Sequence, residues 1–118
     1  MNLNYFSLSE FDCPSLPDSG KNMDSNFLYK LDHARDIAGI SFKINSGYRT
    51  KERNAEVGGV PNSSHLIGVA ADIAVSSGSE RYIILSSLIK AGFKRIGVAK
   101  TFIHCDTDES KPNSVWTY

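Results

Sequence analysis

The amino-acid sequence predicts an α+β domain in which a small antiparallel sheet is flanked by helices. Three observations carry this: two stretches of helical periodicity, short stretches with the alternation of half-buried strands, and a length of only 118 residues. A chain of that size buries one core, and no composition shift, repeat or linker marks a second. Residues 1–118 are therefore read as a single domain.

The elements follow in order. Residues 1–22, with Pro14, Pro17 and Gly20 among scattered polar residues, read as an irregular arm anchored by Leu3, Tyr5, Phe6 and Phe11. Asp24 or Ser25 can cap a helix over about 26–38, whose apolar face is Phe27, Leu28, Leu31, Ala34, Ile37 and Ala38 and whose stop is Gly39. Ile40, Phe42 and Ile44 alternate with Ser41, Lys43 and Asn45, the period of a half-buried strand. Thr50 opens a short helix to about Val57, and Gly58-Gly59-Val60-Pro61-Asn62-Ser63-Ser64 breaks regular structure. Residues 69–75 are apolar apart from Asp72, as expected of a buried strand with one functional side chain. A second amphipathic helix spans about 79–91, built on Tyr82, Ile83, Leu85 and Ile89 and stopped by Gly92. Two closing strands are expected at 95–98 and 101–106, and residues 108–118 read as a polar tail ending in Val115-Trp116-Thr117-Tyr118.

Composition excludes several functions. The 13 basic and 13 acidic residues cancel, so charge gives no general case for a nucleic-acid or anionic-membrane partner. No apolar run approaches the roughly 20 residues that span a bilayer. The first eleven residues carry Asn, Ser and Glu where a signal peptide has a basic start and an apolar block. Two cysteines far apart, Cys13 and Cys105, suit a protein made in a reducing compartment, with one bridge between them left open. The expectation is a monomer synthesised in the cytoplasm.

The chemistry concentrates in Ser63-Ser64-His65-Leu66-Ile67-Gly68-Val69-Ala70-Ala71-Asp72 and in Ile103-His104-Cys105-Asp106. Two of the three histidines lie there, and a carboxylate, Asp72, follows the first of them at a fixed short distance. Two imidazoles and a carboxylate are a typical ligand set for a catalytic zinc, which keeps one position open for water, whereas structural zinc is closed by four ligands and favours cysteine. An extended 101–106 segment puts Phe102, His104 and Asp106 on one face and Ile103 and Cys105 on the other. Asp72 sits in a run too apolar for an unpaired carboxylate, and a bound cation or an adjacent arginine would settle its charge. His33, on a helix among Asp32, Arg35 and Asp36, reads as solvated. Cys105 reads as a small core residue pointing away from His104, Cys13 as buried or idle, and Glu52 and Arg53 as a solvated helix face. Tyr48 and Trp116 can line a cleft, with core packing the default for Tyr48.

The run Ser64-x-His65-x-x-Gly68-x-Ala70-x-Asp72, preceded by Ser46-Gly47-Tyr48-Arg49 and followed by Ile103-His104-x-Asp106, resembles the M15 family of zinc peptidases. That family comprises D-alanyl-D-alanine carboxypeptidases and related peptidoglycan endopeptidases, bacteriophage endolysins among them. The resemblance covers roughly residues 5–107, since Phe6-x-Leu8-x-Glu10-Phe11 and Gly58-Gly59-Val60-Pro61-Asn62 also look like the small, single-domain branch. It implies a hedgehog/DD-peptidase-like fold, one zinc ion, and His65, Asp72 and His104 as its ligands. Arg49 matches the family arginine that engages a substrate carbonyl or carboxylate, its other reading being a plain counter-charge to Asp72. Ser64 matches the serine beside the first ligand and is assigned to substrate binding. Some family lysins place a catalytic Asp three residues before the last histidine ligand, where this chain has Thr101. Asp106 is therefore the candidate base, or else a partner or hydrogen-bond acceptor around the ligand, with Glu52 and Asp108 next in line.

The expected function is zinc-dependent hydrolysis of a peptide bond in the stem or cross-link of bacterial peptidoglycan. Small size and the missing secretion signal and wall-binding module point to a phage or prophage lysin that reaches the wall after holin-type release, or to a virion component. The alternatives are a D-alanyl-D-alanine carboxypeptidase and a non-catalytic zinc-binding module of the hedgehog type.

Overall fold

The computed structural model describes residues 2–118, which form three α-helices and one five-stranded sheet. Helix α1, Ser25–Ala38, starts where the Asp24 carboxylate accepts the Phe27 N–H at 2.9 Å and ends at Gly39, whose φ of 68° is a left-handed stop. Thr50 caps α2, Lys51–Glu56, and Ser77 caps α3, Gly78–Lys90, each side chain accepting the N–H three residues on. The N-terminal arm is less irregular than expected, because Leu8–Phe11 and Ser19–Asn22 each close a 3-10 turn.

The strands are β1, Ile44–Ser46; β2, Ala70–Ala74; β3, Arg95–Val98; β4, Phe102–Asp106; and β5, Ser114–Thr117. They lie in the order β1-β2-β4-β3-β5. The first four pair antiparallel, but β5 runs parallel to β3, so the sheet is mixed rather than wholly antiparallel. The segment read as a polar tail therefore supplies the edge strand. At the other edge β1 is shorter than the alternation from Ile40 suggests: Phe42 is buried, yet the ladder with β2 starts only at Ile44 and is broken by a bulge before Ser46.

Alternation along the strands divides the sheet into two faces. Ala71, Ile73, Ile96, Ile103 and Cys105 pack with Phe27, Leu28, Leu31, Ile84 and Leu88 from α1 and α3 to form the core. Cys13 and Cys105 are both buried free thiols. Asp72, Arg95, Phe102, His104, Asp106 and Trp116 emerge on the opposite face and line a cleft of about 360 Å³. Register aligns Ser46, Asp72, His104, Gly97 and Trp116 in one row across all five strands. Among the described residues no helix is long and apolar enough to cross a membrane.

Candidate metal centre and cleft

His65 enters the site from a 3-10 turn, Ser64–Ile67, which Ser63 caps by accepting the His65 N–H. Its ring is 3% exposed, with Nδ1 at 2.8 Å from the Gly47 carbonyl oxygen. A carbonyl only accepts, so Nδ1 carries a proton and Nε2 is the nitrogen turned to the cleft. That Nε2 lies 3.3 Å from Asp72 Oδ1, and His104 Nδ1 lies 2.9 Å from the same oxygen. Arg49 Nη2 reaches Asp72 Oδ2 at 3.3 Å.

The three side chains expected to bind metal thus converge: one ligand atom from each of His65, Asp72 and His104 lies within 4.8 Å of the others. A tetrahedral zinc with bonds of about 2.1 Å spaces its ligand atoms about 3.4 Å apart, so the set is of the right size. The electrostatics agree. Burial works to raise the Asp72 pKa, yet hydrogen bonds from His104 and His65 outweigh it and hold the carboxyl well below its usual range. Burial likewise opposes charge on His104, but Asp106 and Asp72 outweigh that and raise its pKa. Two carboxylates around one imidazole favour positive charge at this point, which a cation between the three side chains would also supply. The residues fit a divalent metal.

Asp106, the expected base, is placed differently from a free base. Its side chain is 1% exposed. Oδ2 accepts from His104 Nε2 at 2.7 Å, while Oδ1 accepts from Arg95 Nε at 2.8 Å and from the Asp108 N–H at 3.1 Å. Both oxygens are thus occupied by donors. Such a carboxylate fixes the tautomer and orientation of a ligand histidine, the other role the sequence left open for it. The remaining candidates do not fill the gap. Glu52 is exposed on α2 and absent from the cleft wall. Asp108 is buried, accepting from the hydroxyls of Ser64 and Ser110 with Lys111 3.4 Å away. Ser64 lines the cleft, but its hydroxyl donates to Asp108 at 2.7 Å and accepts from Lys111 Nζ at 3.0 Å. This cluster straps the His65 turn to the chain beyond β4.

Arg49 does pair with Asp72, and it does more. Nε donates to Ser46 Oγ at 3.0 Å and Nη1 to Asn54 Oδ1 at 3.2 Å, so three of the five guanidinium N–H groups are committed. The guanidinium still lines the cleft.

Trp116 lines the cleft, as its sequence reading allowed, whereas Tyr118, Gly97 and Arg95 at the site were not foreseen. Trp116 stands 5.5 Å, ring to ring, from His104, and Tyr118 is 5.0 Å from Phe102. Gly97 makes this possible: a Cβ there would come 2.6 Å from Trp116 Nε1 and 2.9 Å from Tyr118 Cε2. Arg95 stacks on Trp116 at 4.9 Å, bonds the Pro112 carbonyl and pairs with Asp106. Strand parity could have put Arg95 and Gly97 on the His104 face; nothing local announced a parallel β5. Among the other readings, His33 is exposed, Cys105 is in the core and Tyr48 packs against the core.

A small α+β domain whose cleft gathers a His-Asp-His group able to hold a metal ion is the class that the fold and site define. The chain belongs to the Peptidase M15 family, whose model matches residues 4–106. No curated protein matches the chain. The matched stretch contains His65, Asp72, His104, Arg49 and Asp106, and stops before Trp116 and Tyr118.

Proposed function

We propose that the protein is a zinc-dependent peptidase that cuts a peptide bond in bacterial peptidoglycan as an endopeptidase, in the setting of a phage lysin or a virion component. The single observation that carries the metal-dependent reading is the shared Asp72 Oδ1, within 3.3 Å of His65 Nε2 and 2.9 Å of His104 Nδ1. His65, Asp72 and His104 would hold the zinc. Zinc in such a site polarises a peptide carbonyl and lowers the pKa of water to about 7.

The chain's own residues do the rest. The Gly47 carbonyl fixes the His65 tautomer, and Asp106, itself held by Arg95, fixes that of His104. Arg49 neutralises Asp72 and turns its two uncommitted N–H groups to a substrate carbonyl oxygen, where they stabilise developing negative charge. Val57, Val60, Phe102, Trp116 and Tyr118, which line the cleft, receive the flanking peptide. The cations that line the cleft are each paired with a carboxylate, Arg49 with Asp72, Arg95 with Asp106 and Lys111 with Asp108, which favours an endopeptidase over a carboxypeptidase, because a trimmer needs an unpaired cation for the substrate's terminal carboxylate.

One observation favours the non-catalytic alternative: Asp72 and Asp106, the carboxylates lining the cleft, are both engaged by other side chains. Digestion of purified peptidoglycan separates the readings. The peptidase releases new amino and carboxyl termini, identified by mass spectrometry, and loses this activity to a chelator until zinc is restored. A zinc-loaded protein that produces no new termini is a binding module.

A further inference from the structure

Asn54 is the buried residue of α2, 3% exposed, on a helix otherwise rich in charge. Both ends of its side-chain amide are engaged. Oδ1 accepts from Arg49 Nη1 at 3.2 Å, and Nδ2 donates to the Val60 carbonyl at 2.8 Å. A guanidinium only donates and a carbonyl only accepts, so these partners fix which end of the amide is which. Its backbone carbonyl also accepts the Gly59 N–H at 2.8 Å. Gly59 is pressed so close that a Cβ there would lie 2.1 Å from Asn54 Oδ1 and 3.1 Å from Arg49 Nη1. One side chain therefore joins the cleft's arginine to the Gly58–Val60 rim, and the arginine continues through Asp72 to both histidines.

We infer that Asn54 is a positioning residue for substrate binding: it holds the Arg49 guanidinium at a fixed angle to the cleft and pins the Gly58–Val60 rim to it. This rests on the reading of Arg49 as a group that touches substrate. Without Asn54, Arg49 keeps its bonds to Ser46 and Asp72 but loses the third point that sets its plane. Its free N–H groups then sample directions in which they miss a substrate carbonyl. Misplacement of about 1 Å is enough to cost roughly 100-fold in rate.

Two substitutions separate the two tethers. Asn54→Ala removes both, whereas Asn54→Asp keeps an acceptor for Arg49 and sets an oxygen against the Val60 carbonyl. The first readout is independent of turnover: nitrogen-15 relaxation and hydrogen exchange of the Arg49 Nη1–H groups, the ones that meet Asn54. They should be ordered in the wild type and in Asn54→Asp, and mobile in Asn54→Ala. The second is a double-mutant cycle on peptidoglycan hydrolysis at equal zinc content. Asn54→Ala should lower kcat/KM about 10- to 100-fold in the wild-type background and add almost nothing in Arg49→Lys, whereas a purely structural role adds its full cost in both. An ordered Arg49 in Asn54→Ala, or equal losses in both backgrounds, overturns the inference. Wild-type turnover in Arg49→Lys overturns it through its premise. A wild-type protein that hydrolyses nothing marks failure of the peptidase reading instead, and the relaxation data then decide alone whether Asn54 orders Arg49.

Discussion

His104 Nε2 lies 2.7 Å from Asp106 Oδ2, so the imidazole that meets Asp72 through one nitrogen is held from behind through the other. Arg95 fixes the remaining Asp106 oxygen at 2.8 Å. Carboxylates placed this way act on how a histidine binds metal. Asp106→Asn should therefore weaken zinc affinity by about 10- to 100-fold. A base would behave otherwise, with zinc retained and turnover reduced about 10²–10⁴-fold. Competition titration against a zinc chelator, paired with kcat on saturated enzyme, distinguishes the two.

Arg49→Lys should lower turnover about 10- to 100-fold while zinc stays bound. Lysine keeps the charge beside Asp72 but cannot meet Ser46, Asn54 and Asp72 from one planar fork. Unchanged specific activity per folded molecule makes Arg49 only a counter-charge.

Gly97→Ala should disturb the cleft wall without touching a proposed ligand. The added methyl meets Trp116 Nε1 at 2.6 Å, and overpacking of this kind costs about 1–3 kcal/mol. Trp116 is the single tryptophan of the chain, so its intrinsic fluorescence reports this site alone. Its emission should shift in Gly97→Ala, together with a lower Tm. Emission identical to the wild type contradicts the packing of β5 on β3.

Acid should loosen the strap around Asp108. Burial works to raise its pKa, but the Ser110 and Ser64 hydroxyls outweigh that and bring it from 3.8 to about 2. A carboxyl depressed on folding stabilises the native state above its unfolded pKa, and that contribution fades as pH falls from about 4 to about 2. The difference corresponds to about 2 kcal/mol. Denaturant unfolding of the wild type and Asp108→Asn should show stabilities that differ at pH 6 and converge near pH 2. A constant difference across that range contradicts the assignment.

The sequence carried the helix positions and the residues that converge in the cleft, because both are written locally. Asp24 with Gly39 marks the ends of α1, and alternation put Phe102, His104 and Asp106 on one face. The inner face of α3 differs from the expected one: Ile84 and Leu88 are buried, whereas Tyr82 and Ile89 are exposed. What was not legible depends on partners far along the chain. Ser114-Val115-Trp116-Thr117 has too short an alternation to declare itself a strand, and its partner β3 lies across a parallel pairing. Asn54 looks like any polar residue of a charged helix until Arg49 and Val60 close on it. Asp106 presented the right chemistry for a base, and only the register that sets it opposite Arg95 shows its oxygens to be engaged.

Zinc titration of chelator-stripped protein, with bound metal counted by elemental analysis, tests the central claim most directly. One zinc per chain is expected, with loss of that site in His65→Ala and in His104→Ala while both variants remain folded by circular dichroism. A wild-type chain that takes up no zinc, or a His65→Ala variant that keeps full occupancy, contradicts it.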